Sequence, residues 1–187
     1  HCTFIENFRL PINSLGYGVA IYGDSDASWN NPLVLGTENA VFVEDCYFEH
    51  CRHGVASNDG SKYVFRFNTI TDNYNPWTAI DAHGFSSSPR GSRSVEIYGN
   101  TLNGGVDTDG TPHDTWAVGI RGGDGVIYDN TITSKSQSSL IMLVIDGIEE
   151  QHFNYPQPDQ TTDIWLWNNT QGGSPLASLR LGWSTEM

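Results

Sequence analysis

The amino-acid sequence predicts an all-β fold, a parallel β-solenoid, and three observations favour it. A short apolar strand that ends at an Asn-Thr corner recurs along the 187 residues. A second apolar strand follows each corner and usually ends at a Gly. No stretch has a helical period of useful length, so the crossover helices of a βαβ fold are not expected. Strands this short, all running in one direction, can bury their apolar faces only by stacking on the neighbouring repeats.

The first strand of each repeat ends at a marker residue, which is Asn in four copies and Cys in two. The clearest copy is at residues 93–102, where Val95 and Ile97 precede the corner at Asn100. The markers are Cys2, Cys46, Asn68, Asn100, Asn130 and Asn169, at spacings of 44, 22, 32, 30 and 39 residues. The minimum spacing of 22 residues is about one turn of a three-sided coil. The longer spacings are therefore predicted to contain the same coil with additional loops inserted between its strands.

The repeated corner residue is predicted to be structural. A buried Asn at this position can bond to the backbone of neighbouring repeats and form a ladder along the stack. Cys2 and Cys46 fit the same position as small apolar residues. With Cys51 they make an odd count, which leaves the disulfide state open.

The second strand of each repeat is apolar at alternate positions. This alternation predicts that one set of side chains points inward, namely Ile80, Ala82, Val118, Ile120 and Ile145. The copies are at residues 18–23, 54–57, 79–84, 117–122 and 142–147, with a sixth at 177–182 whose register is ambiguous by one residue. We expect these strands to form one parallel sheet.

Charge and composition restrict the function. Nine basic and 22 acidic residues give a net charge of −13, which argues against a nucleic-acid partner because such proteins need a basic surface. The charge is typical of a secreted or cell-surface protein, and solubility explains it more simply than cation binding. The longest apolar run, residues 140–145, is too short to span a membrane. Because the chain begins and ends inside repeats, we expect residues 1–187 to be one domain of a longer chain.

The Asn-Thr-Ile and Asn-Thr-Leu corners, the Gly-terminated strands and the 22-residue minimum resemble the right-handed, single-stranded parallel β-helix of the pectate-lyase-like superfamily. The resemblance covers nearly the whole chain and implies about five to six coils. Pectate lyases use carboxylate-bound Ca²⁺ and an Arg base, and Arg121 with Asp146 resembles that pair. Residues 107–110 and 82–84 are partial matches to polygalacturonase elements, in a different chain order. Neither signature is complete, and fold alone does not define an activity.

Aligning the second strands by their closing Gly predicts a column of outward residues. It contains Tyr22, His83, Arg121 and Asp146, with Asp81 two residues before His83 on the same face. A titratable His, a fixed cation and two carboxylates can supply a general base, a clamp for a uronate or sulfate, and an acid. Asp81, His83, Arg121 and Asp146 are therefore the candidate catalytic residues. The alternative is a solvated ladder of paired surface charges.

Loops that leave the second strand are predicted to rise beside this face. They carry four candidate substrate-binding residues, Trp29, Arg90, His152 and Tyr155. Aromatic rings of this kind suit stacking on a sugar ring, while polar groups define its orientation.

A further loop, at residues 103–115, enters from the other side. Asp107, Asp109 and Asp114 in this loop could bind Ca²⁺ as a cofactor. The alternative is an acidic, Gly-rich loop that is only solvated.

Two functional hypotheses follow. In the first, the chain is an extracellular β-helix that binds polysaccharide on an outer sheet face, with cleavage by lyase or hydrolase chemistry left open. In the second, it is a non-catalytic structural or adhesive segment of a larger surface or phage-tail-like protein. They differ in whether the column around His83 reacts with a ligand.

Overall fold

The computed structural model describes residues 1–7, 16–71, 78–84, 90–103, 117–133, 141–144, 159, 161–172 and 177–180. Within these ranges the protein is all-β apart from one short helix, as the sequence predicts. In chain order the elements are β1 (Thr3–Ile5), β2 (Tyr17–Tyr22), α1 (Ser25–Trp29), β3 (Val41–Glu44), β4 (Tyr47–Glu49), β5 (His53–Asn58), β6 (Lys62–Arg66), β7 (Thr69–Thr71), β8 (Ile80–Ala82), β9 (Ser94–Tyr98), β10 (Thr101–Asn103), β11 (Val118–Ile120), β12 (Asp124–Tyr128), β13 (Thr131–Thr133), β14 (Ile141–Val144), β15 (Ile164–Trp167), β16 (Thr170–Gly172) and β17 (Ala177–Arg180).

The strands form three parallel sheets, which the chain visits in turn. The first sheet has the order β1-β4-β7-β10-β13-β16 and the second has the order β2-β5-β8-β11-β14-β17. The third has the order β3-β6-β9-β12-β15. Each strand therefore pairs with its equivalents in the repeats before and after it. This arrangement is compatible with a parallel β-helix, and it explains why strands of three to six residues suffice: they bury their apolar faces against neighbouring repeats.

The core lies between the three sheets. The predicted inward residues of the second sheet, Ile80, Ala82, Val118 and Ile120, are fully buried in it. The register pairs Ile80 with Val118 and Ala82 with Ile120, so equal apolar positions stack across adjacent strands. Ile145, predicted to join them, lies outside the described residues.

The predicted asparagine ladder is confirmed. Asn100 Nδ2 donates to Phe65 O at 2.9 Å and to Asn130 Oδ1 at 2.9 Å. Asn100 Oδ1 accepts from the Asn68 backbone N–H at 2.9 Å, and Asn130 bonds in the same way to Asn169. Each side chain thus satisfies backbone groups at a corner where strand pairing is interrupted.

The outer face of the third sheet carries aromatic side chains that the sequence pattern did not reveal. Tyr98 stacks on Tyr128 with ring centroids 4.7 Å apart, and Tyr128 stacks on Trp167 at 4.3 Å. The three residues are register partners on β9, β12 and β15, so the stack follows directly from the parallel pairing. Trp165, two residues before Trp167 on the same face, is half exposed.

Helix α1 is a departure from the sequence prediction. Residues 25–29 follow β2 in a segment predicted to be a loop, and one helical turn is too short to produce a detectable period. In the described ranges, no helix is long and apolar enough to cross a membrane.

Candidate functional site

The outer face of the second sheet carries a row of side chains at the ends of four neighbouring strands. Tyr22, the last residue of β2, is level with Asn58, the last residue of β5. The register continues one residue beyond β8 and β11, because the backbone N–H of His83 donates to β5 at 3.0 Å and that of Arg121 donates to β8 at 2.8 Å. Tyr22, Asn58, His83 and Arg121 therefore form one row across the sheet.

Asp81 lies beside this row at the centre of a buried charged cluster. Arg121 Nε lies 3.1 Å from Asp81 Oδ1, and Arg121 Nη2 lies 2.6 Å from Oδ2. His83 Nε2 is 2.7 Å from the same Oδ2, and His53 Nε2 is 3.7 Å from it. Asp81 is 1% exposed and Arg121 is 5% exposed. Asp81, His83 and Arg121 are therefore in contact, and the Asp81–Arg121 pair is buried rather than solvated.

The cluster determines the protonation of Asp81. Burial alone would raise the pKa of this carboxyl, because a low-dielectric surrounding disfavours the charged form. The charges of Arg121 and His83 outweigh burial and hold the pKa well below its usual range. Because an ionised carboxylate can only accept, His83 Nε2 carries the proton of the bond to Asp81. A buried, ionised Asp81 therefore orients a His83 side chain that is 19% exposed.

His53 was not predicted as part of this site. It is the first residue of β5, and its Nδ1 bonds to the Thr78 carbonyl oxygen. A carbonyl only accepts, so Nδ1 carries the proton and the neutral ring turns an unprotonated Nε2 toward Asp81. Burial lowers the pKa of His53 to about 4, although the nearby Asp81 carboxylate opposes this shift. His53 is therefore neutral at pH 7.

An open groove of about 80 Å³ borders the row on the side of β2. Tyr17 and Tyr22 of β2, Asn58 of β5 and the His83 side chain line it together with small residues. Tyr22 is 68% exposed, so the edge of the groove is an accessible aromatic ring next to an amide and an imidazole. The volume is small beside the several hundred Å³ of a typical closed ligand pocket.

Trp29 and Arg90 lie together in a second cluster, which has internal partners. Trp29 Nε1 donates to the Gly91 carbonyl at 3.0 Å, and the Arg90 guanidinium lies 5.1 Å from the Trp29 ring centroid. Arg90 also bonds to both carboxylate oxygens of Asp159 and to Asp26 of α1. These contacts join α1 to the segments around residues 90 and 159. The substrate-binding role predicted for Trp29 and Arg90 stays a prediction, and the contacts assign both residues a structural one.

The position predicted for Asp146 beside Arg121 does not agree with the register. Ile120 of β11 pairs with Leu143 of β14, which puts Val144 next to Arg121. Alignment by the closing Gly pairs Arg121 with Asp146, which is two residues beyond the residue that the register puts there. The two alignments differ because more residues separate the end of β14 from its closing Gly than separate the end of β11 from its own. Asp146 itself lies outside the described residues.

The remaining predicted residues also lie outside the described ranges. They are His152 and Tyr155 of the proposed substrate loops, and Asp107, Asp109 and Asp114 of the proposed Ca²⁺ loop. Within the described ranges, no group of three His, Cys, Asp or Glu side chains could hold a metal ion.

Two residues of the site had a detectable signal in the sequence. The sequence prediction ended this strand at residue 57. Extending its alternating pattern by one residue, to Asn58, would have placed Asn58 in the same column as Tyr22 and His83. His53 precedes the Gly that opens the same strand, at the position that Tyr17 occupies one repeat earlier.

No protein-family model, no curated protein and no solved structure matches the chain.

Proposed function

We propose that this protein binds polysaccharide along the outer face of its second sheet. The observation that carries the proposal is the groove in which the exposed Tyr22 ring lies beside Asn58 and His83. An aromatic face can stack on a sugar ring, and an amide can orient its hydroxyl groups. A flat sheet face also accepts a chain of sugars, which a closed pocket of this size would not.

Cleavage of the bound polysaccharide is a second candidate function. It is favoured by the contact between Asp81 and His83, in which a buried carboxylate holds a partly exposed imidazole at 2.7 Å. General acid–base catalysis uses a histidine oriented by a carboxylate, and because Nε2 bonds to Asp81 while Nδ1 is buried, this role requires that Nδ1 become accessible to the bound sugar. In this proposal His83 is the catalytic residue, while Asp81 and Arg121 position it.

The finer assignments belong to the same proposal. We infer a right-handed parallel β-helix of about five to six coils, similar to the pectate-lyase-like superfamily, in a secreted or cell-surface protein. Ca²⁺ bound by Asp107, Asp109 and Asp114 is the cofactor to test, because three carboxylates in one loop supply the oxygen ligands that this ion prefers.

The experiment is a glycan panel with the full chain, in which binding and product release are both measured. Tyr22→Ala should weaken binding at least tenfold, whereas Trp165→Ala should leave it unchanged. Trp165 is a suitable control because it is also an exposed aromatic residue, but lies on the outer face of the third sheet.

Activity is measured on the same panel with and without EDTA. New absorbance near 235 nm would indicate β-elimination, and new reducing ends without it would indicate hydrolysis. His83→Ala should then abolish turnover while glycan binding persists. Binding without turnover would support an adhesive, non-catalytic β-solenoid. A panel with neither binding nor turnover would reject the proposal and favour a purely structural segment.

A further inference from the structure

We propose that the ligand of this face is a neutral glycan rather than a polyanion, an inference that rests on the proposed function. The sequence suggested that Arg121 could clamp a uronate or sulfate. Its guanidinium instead donates to both oxygens of Asp81, and the residue is 5% exposed. Because this guanidinium is paired with the Asp81 carboxylate, it does not offer the groove a pair of N–H donors for an anionic ligand. The ion pair also adds no net positive charge to the groove.

The other arginines with described ion pairs are neutralised in the same manner. Arg66 lies 2.5 Å from Glu44, and Arg90 lies 2.6 Å from Asp159. Arg93 lies 3.8 Å from Asp124, beside the Trp29 ring. In a chain with only nine basic residues and a net charge of −13, pairing of this kind leaves a surface potential that repels an anionic polymer.

The lining of the groove agrees with this inference. Its side chains are two tyrosines, an asparagine, a histidine, and small or apolar residues. Tyrosine rings and an amide bind a neutral sugar through stacking and hydroxyl hydrogen bonds without a counter-charge. The Arg52 guanidinium lies over the ring of Tyr17, one of the lining tyrosines, with Cζ 5.6 Å from the centroid.

The inference also restricts the chemistry. β-Elimination needs a proton made acidic by an adjacent carboxyl or ester group, which an uncharged glucan or xylan lacks and a methyl-esterified polyuronate keeps. Cleavage of a glucan or xylan at His83 would therefore be hydrolysis, in which water adds across the glycosidic bond and one new reducing end is formed.

The test compares a polyuronate with its methyl ester, since the two polymers differ chiefly in charge, alongside an uncharged glucan and an uncharged xylan. Affinity is measured by titration calorimetry at low and high salt with the full chain, the Tyr22→Ala variant and the Arg52→Gln variant. We expect the ester or an uncharged glycan to bind at least tenfold more tightly than the polyuronate. Tyr22→Ala should remove this binding, and salt should change it less than twofold.

Tighter binding of the polyuronate that weakens with salt and with Arg52→Gln would overturn the inference and leave the proposed function standing. Binding that is insensitive to Tyr22→Ala would place the glycan elsewhere and would reject the proposed function together with the inference. Failure of every polymer to bind would reject the proposed function itself, and the inference with it.

Discussion

Arg121 and Asp81 form a two-point ion pair between adjacent strands of the second sheet, with donor–acceptor distances of 3.1 and 2.6 Å. Gly119 is level with Asp81 on β11, and a Cβ at this position would lie 2.4 Å from Thr78 Cγ2. Burial makes the pair mutually dependent, because either charge alone would be desolvated without compensation. The residue that looked most like a ligand clamp is therefore a support for Asp81, and through it for His83.

The first prediction concerns this pair. Asp81→Ala should lower the free energy of unfolding by about 3–5 kcal/mol, because it leaves a buried guanidinium without its counter-charge. The matched control is Glu44→Ala, which removes the partner of Arg66 in a partly exposed pair and should cost less than about 1 kcal/mol. Chemical denaturation of the two variants measures the difference. Equal losses would contradict the buried pairing.

A second prediction concerns pH. The pKa of His53 is lowered to about 4 by burial, from an ordinary value of 6.5. Because the unfolded chain takes up this proton at higher pH than the folded chain does, stability is fully present above pH 6.5 and is lost as the pH falls toward 4. The loss amounts to about 3 kcal/mol at most. Below pH 4, protonation of Asp81 should remove further stability, since the pKa of this carboxyl is also lowered in the fold.

Unfolding experiments between pH 7 and pH 4 test the assignment to His53. His53→Gln keeps a side-chain donor for the Thr78 carbonyl but cannot titrate. The variant should therefore show a flatter pH dependence than the wild type over this range. An unchanged slope would assign the acid sensitivity to other groups.

A third prediction concerns the asparagine ladder. Asn100→Ala removes the acceptor of the Asn68 N–H and the donor to the Phe65 carbonyl, both buried, and should cost about 2–4 kcal/mol. Asn169→Ala removes equivalent bonds where the side chain is partly exposed, so water can replace them, and about 1 kcal/mol is expected. Thermal or denaturant unfolding distinguishes the two. A loss at position 169 as large as that at 100 would show that burial does not set the cost.

The stacking of parallel strands in three sheets was predictable from the sequence because each repeat has two recognisable features. These are the Asn at its corner and the alternating apolar residues of its second strand. The column that joins His83 and Arg121 followed from the same alternation. The burial of the Asp81–Arg121 pair did not, because alternation gives the direction of a side chain and not what surrounds it. The predicted position of Asp146 beside Arg121 differs from the register, which puts Val144 there, because the distance from a strand to its closing Gly varies between repeats.

A final prediction concerns how closely the paired strands β9 and β12 approach each other. Gly125 lies inside β12, and a Cβ at this position would lie 1.9 Å from the Val95 carbonyl oxygen of β9. Since the obstacle is backbone of the paired strand, it cannot rotate away, and Gly125→Ala should cost at least about 2–3 kcal/mol. Gly172→Ala is the control, because its Cβ would meet the end of the Thr133 side chain at 3.2 Å, and a change below about 1 kcal/mol is expected. Denaturant unfolding measures both, and a neutral Gly125→Ala variant would mean that β9 and β12 can separate locally without loss of stability.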